Sequence, residues 1–101
     1  MNKVLYHLCR HCVSIMYWGY PLPSTLLSEI CEISLYKTRK ELKKLKEQGY
    51  INSDRYCVVG EDRNYLISGY ILTDKAKETE EYKKAYEEEQ RICKECFDID
   101  I

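Results

Sequence analysis

The sequence predicts a mostly α-helical domain with one small β-hairpin and a long C-terminal helix. Three observations carry this. Apolar residues recur with helical spacing in the first half of the chain and again at its end. Two Tyr/Ile/Val/Leu-rich stretches flank a short polar loop in the second half. Apart from Gly69 in the second of these stretches, glycine and proline fall between the segments, and none falls inside the helical ones.

The elements follow in order. Residues 3–18 read as a first helix, because Val4, Leu5, Leu8, Cys9, Cys12, Ile15 and Met16 fall on one stripe at about 100° per residue. His7, His11 and Trp18 fall outside the stripe. Gly19, Pro21 and Pro23 end the helix and turn the chain. Ser24 is placed to cap a second helix running from Thr25 to about Cys31, with Leu26, Leu27 and Ile30 as its apolar face. Ser34 is placed to cap a third helix, Leu35 to about Gln48, with Leu35, Thr38, Leu42 and Leu45 facing inward. Gly49 stops it, since glycine accepts the left-handed conformation needed past a helix end. Tyr50–Val59 and Tyr65–Leu72 read as the strands of a hairpin around the polar loop 60–64. Thr73 or Asp74 is placed to cap a last helix from about Lys75 to Phe97. The chain thus divides into a head, residues 1–73, and a C-terminal helix, residues 74–101, for packing or dimerisation.

Composition narrows the function classes. The chain has 101 residues, 45% hydrophobic and 33% charged, which suits one folded domain with a modest core. No apolar run approaches the roughly 18 residues that span a bilayer, and the N-terminus lacks a continuous apolar segment of the signal-peptide kind. The cytoplasm is the expected location. The net charge of −1 divides unevenly, with +3 over residues 1–73 and −4 over residues 74–101. A positive head with an acidic tail suits a nucleic-acid-binding module. There is no nucleophile elbow, phosphate-binding glycine loop or metalloprotease helix motif, so an enzyme is not expected.

The stretch LSEICEISLYKTRKELKKLKEQGYI, residues 27–51, resembles the helix-turn-helix core of winged-helix regulators, most specifically in Leu42, Leu45, Gly49, Tyr50 and Ile51. The segment Gly69 to Lys75 resembles the exit from the second wing strand in MarR-like and PadR-like proteins. The resemblance covers about residues 24–78. It implies a winged helix-turn-helix domain, double-stranded DNA as partner, and a role as a transcriptional or mobile-element regulator. The chain departs from the pattern at two places. The turn Glu32-Ile33-Ser34 has no glycine, and the wing loop sets Glu61 and Asp62 beside a single Arg63.

The third helix holds the candidate DNA-binding residues. Ser34, Tyr36, Lys37, Arg39, Lys40, Lys43 and Lys44 remain outward once the apolar positions are removed, and Arg63 joins them from the wing. Arg39 is suited to gripping guanine at two points, the lysines to phosphates, and the Ser34 and Tyr36 hydroxyls to further phosphate contacts. The alternative is a solvated basic face on a structural helix. A second possibility is a protein-interaction winged helix using the acidic tail or the hairpin tyrosines Tyr50, Tyr56, Tyr65 and Tyr70. A third is a thiol or zinc sensor, because Cys9-x-x-Cys12 and Cys93-x-x-Cys96 together make a four-cysteine set. Both pairs also lie in apolar stripes, where cysteine packs as a small hydrophobe, so no metal or other cofactor is expected. His7 and His11, four residues apart, read as solvated. A stripe of Tyr82, Ala85, Tyr86, Ile92, Cys93, Cys96 and Phe97 on the last helix suits packing on the first helix, on a second copy in a homodimer, or on both.

Overall fold

The computed structural model describes residues 1–14 and 21–97, the side chains of residues 96 and 97 excepted. Its elements are α1 (Lys3–Val13), α2 (Ser24–Cys31), α3 (Leu35–Glu47), β1 (Ile51–Val59), β2 (Asn64–Leu72), a 3-10 turn (Asp74–Glu78) and α4 (Glu80–Phe97). The expected order of helices and hairpin is therefore present. β1 and β2 pair antiparallel from Ile51 opposite Leu72 to Val59 opposite Asn64. Gly60 N–H donates to the Arg63 carbonyl at 3.0 Å and closes the loop.

One core holds the molecule together. Leu5 and Leu8 of α1, Leu27 of α2, Leu42 of α3 and Ile51 of β1 are fully buried side chains of that core. Ala85 of α4 belongs to the same cluster, so the C-terminal segment shares the core of the head. Leu22 adds a single bridge to the hairpin: its N–H and carbonyl exchange 3.0 Å hydrogen bonds with Tyr70 of β2.

The third helix forms as its sequence dictates. Ser34 Oγ accepts from Lys37 N–H at 3.2 Å, which satisfies one orphan donor of the first turn. Thr38, Leu42 and Leu45 are buried, and Leu35 is half-buried. Gly49 has φ +84°, the left-handed stop expected of it. Lys75 Nζ then donates to the Gln48 carbonyl at 2.6 Å, adding a cation at the negative end of the α3 dipole.

Four expectations are corrected. The first helix ends at Val13 rather than continuing to residue 18, with Ser14 extended at ψ 140°. Ile15, Met16, Trp18 and Gly19 lie outside the described residues. Ser24 is inside α2, whose N-cap is Pro23 with no side-chain cap bond. The buried face of α2 is Leu27 and Cys31, while Leu26 and Ile30 are each 47% exposed. A helix of two turns presents one stripe inward, and the pair at i,i+4 that meets α1 leaves the neighbouring pair outside. Cys31 marks that contact, with its Sγ 3.9 Å from the Lys3 carbonyl. The last helix does not run unbroken from Lys75. The turn at 74–78 ends in extended Thr79, whose hydroxyl donates to the Ala76 carbonyl at 2.6 Å and accepts from Tyr82 N–H at 3.2 Å. Thr79, not Thr73 or Asp74, is the residue that caps α4. Thr73 instead ties the sheet to the α3–β1 corner, its hydroxyl donating to the Gly49 carbonyl at 2.6 Å.

The glycine-free turn between α2 and α3 has a local cost. Glu32 sits at φ 57° and ψ 39°, in the left-handed region that crowds a Cβ. Replacing it with glycine removes that crowding but makes the unfolded chain more flexible. Glu32→Gly is therefore expected to raise stability by about 0.5 kcal/mol. A urea titration that found it destabilised by a similar amount would show Glu32 to be held by more than its backbone.

Candidate nucleic-acid interface

The buried positions Thr38, Leu42 and Leu45 set the orientation of α3. At about 100° per residue, Lys40 points almost directly away from them, with Tyr36 and then Lys43 beside it, both on the side toward Arg39. Arg39 lies roughly a quarter turn round, on the flank shared by Lys46. Lys46 Nζ reaches Ser53 Oγ of β1 at 2.9 Å, so this flank faces the base of the hairpin. Lys37 and Lys44 lie on the opposite flank. All seven predicted positions from Ser34 to Lys44 are exposed. Leu35, Tyr36, Arg39, Lys40 and Lys43 line a shallow depression of about 480 Å³.

Electrostatics sharpen the face. Glu41, the acid in the middle of α3, is turned away from it. Its Oε2 accepts from Asn2 Nδ2 at 3.2 Å, and its Oε1 lies 3.8 Å from Lys44 Nζ. Asn2 also caps α1, its Oδ1 accepting from Leu5 N–H at 3.0 Å. Among the described residues, no carboxylate forms an ion pair with Lys37, Arg39, Lys40 or Lys43. Glu47 stands one turn past Lys43, at the C-terminal end of the helix. Nothing in the sequence around Glu41 shows that it faces α1, since the contact with Asn2 spans 39 residues of chain.

The hairpin stands out from the body. Only Ile51 and Gly69 among its residues are buried, and Val59 and Leu66 near its tip are 81% and 65% exposed. Arg63 lies over the Tyr65 ring, 4.9 Å from its centroid, on the exposed loop that also carries Glu61 and Asp62. Arg63 is thus placed apart from the α3 cluster, on the hairpin loop.

Cys9 and Cys12 of α1 and Cys93 of α4 belong to the two helices that pack on each other, while Cys31 lies in α2 and Cys57 is exposed on β1. Cys9 and Cys93 are buried and Cys12 is half-buried. Burial first, then neighbouring Cys12 and Glu81, push the Cys9 thiol up to about 12. Burial also raises Cys12, against a backbone hydrogen bond at Leu72 that lowers it. Thiolate is the form that binds metal or attacks, and burial disfavours it here. The Cys96 side chain lies outside the described residues. Among the described residues no group of three or more His, Cys, Asp or Glu is placed to hold a metal ion. His7 packs edge-on against Tyr6 with centroids 5.3 Å apart, and burial, Lys3 and Arg10 lower its pKa.

One feature of the α1–α4 seam escaped the sequence. Arg10 Nη1 lies 3.4 Å from Glu89 Oε2 and donates to the Ala85 carbonyl at 3.2 Å. Glu89 Oε1 in turn accepts from Cys93 Sγ at 3.8 Å. Glu89 is 8% exposed, within a run of three glutamates that reads as solvated. Its clue is its spacing four residues after Ala85 and four before Cys93, in the inward stripe of α4. Of the rest of that stripe, Tyr82 and Ile92 are half-buried, and Tyr86, stacked on Tyr82 at 6.5 Å, is 44% exposed.

No protein-family model matches the chain, and no curated protein or solved structure shows significant similarity to it. Among the described residues no helix is long and apolar enough to cross a membrane.

Proposed function

We propose that the chain is a winged helix-turn-helix domain that binds double-stranded DNA through α3 in the major groove, as a transcriptional or mobile-element regulator. The observation that carries the reading is the unpaired cationic face of α3. Lys37, Arg39, Lys40 and Lys43 project from one exposed helix, while Glu41 is held elsewhere by Asn2 and Lys44. Four cations held without carboxylate partners favour a polyanion, because phosphate contact replaces their repulsion with attraction and releases bound counterions. The topology supports the same reading. α2 and α3 are joined by a turn of three residues, the hairpin follows α3 directly, and Leu22, just ahead of α2, pairs with Tyr70 of β2 through a single bridge.

Within this reading Lys37, Lys40, Lys43 and Lys44 meet phosphates, and Arg39 reaches a base edge from the hairpin side. Ser34 is engaged as a helix cap through its oxygen and keeps its hydroxyl proton for a phosphate. Arg63 adds little, since Glu61 and Asp62 sit beside it on the same exposed loop. Two chains arranged as a homodimer would match a site of two half-sites.

Selection of bound sequences from a random duplex library, followed by titration across salt, tests the function. A recovered consensus whose affinity falls about tenfold or more between 50 and 200 mM salt is the expected result for several phosphate contacts. A consensus of two half-sites would further report pairing. Absence of duplex binding at low salt would sink the reading.

A further inference from the structure

Resting on that DNA-binding reading, we propose that Tyr36 sets base preference on this surface by packing its ring against the 5-methyl group of thymine. Tyr36 is 76% exposed, the most exposed of the large aromatic residues described. An aromatic ring so placed gains nothing from the core and leaves apolar surface in water. It stands in the first turn of α3, one turn before Lys40 and two before Lys43, on the outward line of the helix. With Leu35, Arg39, Lys40 and Lys43 it lines the depression on that face.

The chemistry of the major groove selects the counterpart. Cations have phosphates and the guanine O6 and N7 acceptors to meet. The apolar group that the major-groove edge offers is the thymine methyl. A ring flanked by Arg39 and Lys40, and carried near the N-terminus of the helix, is positioned for that methyl when its neighbours hold the backbone. The hydroxyl is not required for this contact, which separates it from the phosphate role that a tyrosine oxygen can also take.

Replacement of thymine by uracil removes the methyl and leaves the pairing edge intact. The test uses a duplex recovered from the random library and replaces its thymines one at a time. The parent chain is expected to lose about fourfold in affinity at one or two positions, the effect of leaving one buried methyl unmade. Tyr36→Ala is expected to bind the unmodified duplex about fourfold more weakly and to be indifferent to uracil at those positions. Tyr36→Phe is expected to keep the parent's affinity and its sensitivity. The inference fails if the parent is insensitive at every thymine, or if Tyr36→Ala keeps the parent's pattern. It fails too if Tyr36→Phe behaves as Tyr36→Ala, because the hydroxyl then carries the contact. Each of these outcomes leaves duplex binding itself in place. Loss of all duplex binding by the parent chain at low salt would instead overturn the reading on which the inference rests.

Discussion

Gly69→Ala is expected to cost about 3 kcal/mol and to leave the domain largely unfolded at moderate temperature. A Cβ at Gly69 would lie 2.7 Å from the carbonyl carbon and Cβ of Pro21 and 2.9 Å from the Leu22 nitrogen. These atoms are largely backbone, so a rotamer change does not relieve the overlap. Either the segment at Pro21 and Leu22 moves away or β2 does. In both cases the paired hydrogen bonds between Leu22 and Tyr70 are lost, and both Leu22 and Tyr70 pack in the core. The segment is also the lead into α2, so its displacement reaches the helix on which α3 rests. Urea unfolding followed by far-ultraviolet circular dichroism measures the effect. Stability within about 1 kcal/mol of the parent would show that the strand and the α2 lead-in slide apart freely, and that the close approach is not a structural requirement.

Combined replacement of Arg39, Lys40 and Lys43 by alanine is expected to weaken duplex binding about a thousandfold near physiological salt. It is also expected to lower the slope of log affinity against log salt by about 2, one for each of the phosphate contacts of Lys40 and Lys43. All three side chains are exposed and free of ion pairs among the described residues, so folding stability should change little. That separation matters, because a folded protein with lost affinity locates the reader on α3. A matched replacement of the cations on the outer face of α4, Lys83 and Lys84, serves as the contrast. Lys84 already lies 3.9 Å from Glu80, on a helix dense in carboxylates. Unchanged binding by the triple variant would reject α3 as the contact surface and move attention to the hairpin.

The two expectations differ in how far sequence alone supports them. The basic helix was legible because its determinants are local. Ser34 caps within its own first turn, Thr38, Leu42 and Leu45 share a stripe set by helix geometry, and Gly49 supplies its own backbone freedom. The hairpin was legible for the same reason, since β-rich runs around a polar loop pair with their nearest neighbour. The role of Gly69 was not legible. Its constraint is the passage of Pro21 and Leu22, nearly fifty residues earlier in the chain.

The amino-acid sequence by itself determined the order of elements, the limits of α3 and the hairpin to within about a residue, and the cationic character of the α3 surface. Tertiary structure alone decided which faces are used. Periodicity tells which residues lie together on a helix, but burial depends on what packs against it. Hence Leu27 and Cys31 are inside while Leu26 and Ile30 are not. The same holds for charge. Glu89 is drawn in by Arg10, and Glu41 is drawn off the α3 surface by Asn2, through contacts that close long loops of chain. It also holds for the break at Thr79, where a helical composition yields to a turn that lets Ala76 and Ala85 both be buried. Local free energy sets which elements form. Long-range packing and pairing set which of their surfaces meet the solvent, and it is those surfaces that the proposed function uses.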